Sequence, residues 1–212
     1  MRLLLALAAL EDWVIEAVDV KTTFLYGKLD EDIYMCQPEG FLEQGKEQLV
    51  WRLKHAIYRL KQAALAWWRE LDNSVKRLGF VRLHSDAGTF IDKTHNIIII
   101  AYVDDCIFMG KNLKCIKQAK EAFMKMWECQ DLGEAKEFLK MKIWRTGCKL
   151  ILDQHDYLDK IVTQFDLKGS YPVNTPLPTG YELEENKGTA THAFCLEYQS
   201  VIGSLLYIMI GT

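Results

Sequence analysis

The stretch IIIIAYVDDCIFMG, residues 97–110, decides the fold. Ile97–Ile100 and Cys106–Met109 are apolar runs of β-formers on either side of Asp104-Asp105, the pattern of a hairpin. An Asp-Asp pair is good turn chemistry in itself, so the pair alone assigns no role. Its setting does more, because buried strands fix the carboxylates in place and limit their hydration. Trp13–Val18 reads as a second apolar strand, with Asp19 at its end. Mg²⁺ favours octahedral oxygen ligands and keeps part of its water shell, so two or three convergent carboxylates suit it. Two such ions, roughly 4 Å apart, can activate a hydroxyl and stabilise a departing pyrophosphate with no protein nucleophile.

Further out, Leu3–Leu10 is a run of good helix formers. Leu53, Ile57, Leu60, Ala64, Trp67, Trp68 and Leu71 recur at a 3.6 period and predict a helix over 53–71. A second amphipathic helix is expected over Lys111–Trp127, with Lys111, Lys114, Lys117 and Lys125 on a solvated face. Phe138–Trp144 and Lys149–Leu152 suggest strands around Gly147, and Tyr157–Phe165 a short helix. The Pro-rich stretch from Tyr171 reads as a linker, after which Tyr198–Ile210 resumes an apolar pattern.

Composition excludes several classes. The 212 residues are 50% apolar with only four prolines and thirteen glycines, which rules out wholesale disorder and collagen-like repeats. A net charge of −3 and a pI near 6.0 leave no global electrostatic footprint for nucleic acid, so such binding would rest on local basic faces. The six cysteines show neither CxxC spacing nor a histidine pair to complete a zinc pattern, and read as reduced, mostly buried thiols. Met1-Arg2 and the eight residues Leu3–Leu10 make a poor signal peptide, because Glu11-Asp12 follows at once. No apolar stretch is expected to approach the eighteen residues of a membrane span. The expectation is a cytoplasmic protein that is neither secreted nor membrane-bound.

A more specific likeness lies in DVKTTFLYGKLDEDIYMCQPEGF (19–41), WRLKHAIYRLKQAALAWW (51–68), AYVDD (101–105), DLGEAKEFLKMKIWR (131–145) and VIGSLLYIM (201–209). In order and spacing these blocks resemble the reverse transcriptase of copia-type long-terminal-repeat retrotransposon polyproteins. The resemblance covers nearly the whole chain. It implies an α+β fold, a polymerase palm whose antiparallel sheet is backed by helices, with partial fingers and the start of a thumb or connection. By the same resemblance, Asp19, Asp104 and Asp105 are the catalytic, metal-binding carboxylates for Mg²⁺, with Mn²⁺ as a substitute. Phe24 is the aromatic that excludes a ribose 2′-hydroxyl, and Gln62 lies against the incoming nucleotide. Tyr102 and Val103 lie beside the primer terminus, while Phe138 and Leu139 begin the hairpin that holds the primer. The implied partners are an RNA template, a DNA primer and deoxynucleoside triphosphates, and the implied location a cytoplasmic virus-like particle.

The domains expected on this basis are a palm with partial fingers over 1–145 and a thumb-like hairpin and helix over 146–170. A linker over 171–197 and the start of a connection over 198–212 follow. Trp13–Asp19 and Ile97–Met109 should share one sheet, with Asp19 about 4–6 Å from Asp104 or Asp105. In the family, basic finger strands precede the RLLLALAA helix, and a ribonuclease H region follows VIGSLLYIM. Neither those parts nor the integrase is expected here, so the isolated chain should extend a primer poorly and expose a sheet edge. Arg59 stands where the family pattern has glycine, Ala64 where it has proline and Lys140 where it has glycine; Cys36 replaces a commonly acidic residue. Loss of both helix breakers would let helix run through 53–71 and misplace Gln62. The alternative is thus an inactive or repurposed remnant, while Phe24, Gln62 and the IYMCQPEGF block argue against a palm-type nucleotidyl cyclase.

Overall fold

The computed structural model describes residues 1–147, 149–177, 180–182, 188 and 190–211. Cys148 and part of the expected linker (178–179, 183–187 and 189) lie outside the described residues. Helix α1 (Arg2–Leu10) leads into strand β1 (Val14–Val20), which a short 3-10 turn (Thr23–Tyr26) follows. A small hairpin, β2 (Tyr34–Cys36) with β3 (Val50–Arg52), precedes helix α2 (Ala63–Arg77). Strands β4 (Val81–Arg82), β5 (Thr89–Asp92), β6 (Ile97–Tyr102) and β7 (Asp105–Gly110) come next, then α3 (Leu113–Met124) and β8 (Cys129–Glu134). The chain continues through β9 (Glu137–Phe138), β10 (Met141–Thr146), β11 (Lys149–Asp153), α4 (His155–Gln164) and α5 (His192–Gly211).

The main sheet has the order β4-β5-β6-β7-β1-β8 and is antiparallel throughout. The expected pairing of the N-terminal strand with the acidic hairpin is therefore present. Both faces of the sheet are covered, which explains an isoleucine run with no polar alternation. Ile97 and Ile99 join Phe108, Val18, Trp67, Leu71, Ile116 and Phe123 on the α2/α3 face. Ile98 and Ile100 join Ile107, Met109, Ala17, Leu5 and Phe138 on the face covered by α1 and the β9–β10 turn. Each fully buried side chain of this size contributes about 1.5–3 kcal/mol.

Caps fix the helix ends. The Asn112 side chain accepts from the amides of Lys114 and Cys115, at 3.0 and 3.3 Å, and starts α3. At the end of α2, Gly79 (φ 90°) takes the left-handed position, Phe80 N–H bonds Val75 and Gly79 N–H bonds Lys76, a Schellman closure.

Three expectations need correction. Residues 53–62 are not helical: α2 begins at Ala63, after Arg59 in the left-handed region at φ 72°. The Ala56 amide bonds Gly27 and His55 bridges Lys28, so this segment is tied to the turn-rich region. Phe138–Trp144 is not one strand, because Leu139 and Lys140 (φ 51° and 61°) turn the chain between β9 and β10. Finally, α5 has 20 residues with a mean hydropathy of 1.5, long and apolar enough by composition to cross a membrane, contrary to the sequence reading. Here it is anchored by Tyr207, whose hydroxyl donates to Leu139 O at 2.7 Å and whose ring meets Tyr157. The β10–β11 hairpin pairs from Lys142–Asp153 to Thr146–Lys149.

Candidate active site

Asp19 lies near the end of β1 and Asp105 starts β7, and the register sets them directly opposite each other. Facing residues in an antiparallel pair have Cα atoms about 4.5–5.5 Å apart and side chains on one face. Asp104 occupies the two-residue turn with Val103, and its carbonyl accepts the Val20 amide at 2.9 Å. One sheet end thus gathers all three carboxylates, and Asp104 is the exposed member.

The electrostatics show the strain of this grouping. Burial first, then the negative charges of Asp104 and Asp19, push the Asp105 carboxyl above its ordinary value. Cys129 is pushed up to about 11, by burial and then by Asp19. Burial likewise pushes the Cys106 thiol far up, so it remains protonated at neutral pH. Lys21, just past the end of β1, ion-pairs with Asp19. That hydrogen bond raises the Lys21 ammonium above its usual range, and the charges of Asp19, Asp104 and Glu128 add to it. Sequence reasoning missed Lys21, although strand alternation puts residues 19 and 21 on the same side.

Three carboxylates supply the hard oxygen donors a divalent cation takes. Among the described residues, however, no group of three or more His, Cys, Asp or Glu side chains is arranged to hold a metal ion. The donor set fits in kind, and a lysine nitrogen stands against one of its members.

The turn is held from two directions. Val103 sits at φ 56°, a left-handed backbone that costs a β-branched residue about 1–3 kcal/mol. The buried indole of Trp67 donates to Val103 O at 2.7 Å. Trp67 also meets Trp127 edge-on at 5.0 Å and Tyr26 at 6.0 Å. Gly27 lets α2 approach this closely: a Cβ there would lie 2.9 Å from both Ala66 Cβ and Trp67 N.

The other expected residues distribute around this centre. Phe24 lies in the 3-10 turn after Asp19, is partly buried, and meets Tyr58 edge-on at 4.8 Å. Gln62 does not face the aspartates; its amide donates to Glu31 at 3.4 Å at the start of α2, lining a small cleft of about 120 Å³ with Lys28 and Arg69. Tyr102, 59% exposed, faces Asp105 across the hairpin. Tyr102 and Leu139 line one cavity of about 490 Å³, together with residues that include Met141, Tyr207 and Ile210. Phe138 is only 3% exposed and anchors the Leu139-Lys140 turn from within the core. A further residue that sequence reasoning left without a role is Gln37. Its amide donates to the Lys46 and Leu49 carbonyls (2.7 and 3.1 Å) and accepts from Glu43 N–H (2.8 Å), closing the loop before β3.

The model of the reverse transcriptase (RNA-dependent DNA polymerase) family matches residues 1–179. The chain belongs to that family. It is 37% identical over its whole length to the Retrovirus-related Pol polyprotein from transposon TNT 1-94 of Nicotiana tabacum, covering 17% of that protein. It is 32% and 31% identical to the corresponding polyproteins from transposons RE2 and RE1 of Arabidopsis thaliana, over 98% of the chain and 14% of each relative. The chain thus corresponds to a reverse transcriptase domain of copia-type retrotransposon polyproteins and spans less than a fifth of these relatives. No solved structure matches it.

Proposed function

We propose that this domain adds deoxynucleotides to the 3′ end of a DNA primer on an RNA template, with Asp19, Asp104 and Asp105 as its catalytic carboxylates. The observation that carries the reading is the register that sets Asp19 opposite Asp105, one residue from Asp104. Mg²⁺ or Mn²⁺ bound by these carboxylates would supply Lewis-acid activation of the primer hydroxyl and positive charge for the leaving pyrophosphate. Asp19 must release Lys21 to take part, and the freed ammonium is then available to the triphosphate. Phe24, held by Tyr58, presents an aromatic beside β1 that a 2′-hydroxyl would meet sterically. Tyr102, Val103 and Leu139 offer a surface for the primer end, with Phe138 anchoring the Leu139 turn. The other partners would be the remaining segments of the polyprotein.

The test is single-nucleotide extension of a DNA primer on RNA, with Mg²⁺ or Mn²⁺, by the parental protein and by Asp19→Asn, Asp104→Asn and Asp105→Asn. Loss of at least about 100-fold in each variant, with folding retained, is expected. Full activity in any of the three would overturn that residue's assignment. A second reading, a remnant that binds primed template without extending it, draws on the Gln62 amide, which bonds Glu31 and does not face the carboxylates. Binding without extension by the parental protein would select it.

A further inference from the structure

We infer that Trp67 is a positioning residue for the carboxylate turn, acting through the Val103 carbonyl. This rests on the reading of Asp104 and Asp105 as the reacting site. A two-residue turn places its acidic side chains only as well as its backbone is fixed, and this turn begins at a β-branched residue in the left-handed region. Such a backbone persists only where its surroundings over-determine it. Here both turn carbonyls are engaged: Asp104 O by the Val20 amide of β1, and Val103 O by the Trp67 indole. The indole is itself closely packed, 2% exposed and set against Trp127 and Tyr26. A buried indole N–H needs an acceptor, and this one spans from α2 to the turn.

The neighbouring residue, half-buried where Trp67 is buried, provides a comparison for the indole bond itself. Trp68 makes the same kind of bond, Nε1–H to Ala87 O at 3.1 Å, from the same helix but away from the carboxylates. Trp67→Phe and Trp68→Phe each remove one indole-to-carbonyl bond. In single-nucleotide extension, Trp67→Phe should lower the maximal rate about 10- to 100-fold with the nucleotide KM unchanged, the signature of misplaced reacting groups. Trp68→Phe should stay within about twofold of the parental rate. Amide exchange at Val20 and Asp105 should quicken in Trp67→Phe and not in Trp68→Phe. Equal losses in both variants, or unchanged turn exchange in Trp67→Phe, would overturn the inference. If Trp67→Phe fails to fold, 3-benzothienylalanine at position 67 keeps the bicyclic shape without the N–H, and the same two readouts apply. A parental protein with no extension activity would fail the proposed function, and the exchange comparison would still decide the role of Trp67.

Discussion

Lys120 reaches from α3 to Glu16 on β1 and, at 2.6 Å, to Asp131 on β8, with its own side chain almost wholly buried. Removing one member of a buried ion pair strands the other, so Lys120→Ala should destabilise the fold by about 3–5 kcal/mol in chemical denaturation. Lys120→Met with Glu16→Gln should recover much of that loss. The hydrogen bond from Lys120 holds the Asp131 carboxyl below its ordinary value of 3.8. A depressed folded-state value means the contribution is complete above the unfolded value and is lost as pH falls through the folded one. Asp131→Asn should therefore flatten the acid side of the stability–pH curve, modestly, because Asp131 is half exposed. At this scale the three carboxylates were legible, since each ends or interrupts an apolar strand. Trp67 and Gln37 were not. Their roles depend on acceptors that sequence places far away, the Val103 carbonyl for one and the Lys46 and Leu49 carbonyls for the other.

The start of α2 shows how a hydrophobic period can mislead. Leu53, Ile57 and Leu60 carry helical spacing, yet they belong to an irregular segment whose Ala56 amide is taken by Gly27. The break that glycine and proline would enforce is present without them: Arg59 is left-handed, in a segment tied to Gly27 through the Ala56 amide. Arg59→Gly should therefore stabilise the fold by about 0.5–1 kcal/mol, read as a rise in thermal midpoint. Gly27→Ala should cost about 1–3 kcal/mol, since its Cβ would strike the α2 backbone. Strands β6 and β7 were legible because both faces are apolar. Strand β8 was not: CQDLGE has no strand period, and it pairs with β1 through a bulge at which Ala17 faces Gly133 and Val18 faces Asp131.

Across the whole molecule, the sheet order places β1 between two strands from the middle of the chain, β7 and β8. Strands β5, β6 and β7 follow one another directly and can pair as soon as each turn closes, on the microsecond scale of hairpins. Strand β1 must instead return across the whole intervening chain, a loop closure that slows assembly. The β6–β7 hairpin is thus expected to pair before β1 arrives, and its turn gains both the Val20 bond to Asp104 O and the facing Asp19 only when β1 slots in beside β7. During refolding, pulse-labelled exchange should find the Ile100 and Ile107 amides, which pair β6 with β7, protected ahead of the Val18 and Val20 amides, which pair β1 with β7. Simultaneous protection would indicate concerted condensation of the sheet. A chain emerging from synthesis N-terminus first therefore holds β1 unpaired until residue 110 has followed, leaving the carboxylates apart through the period in which the nascent protein is least able to exclude wrong partners.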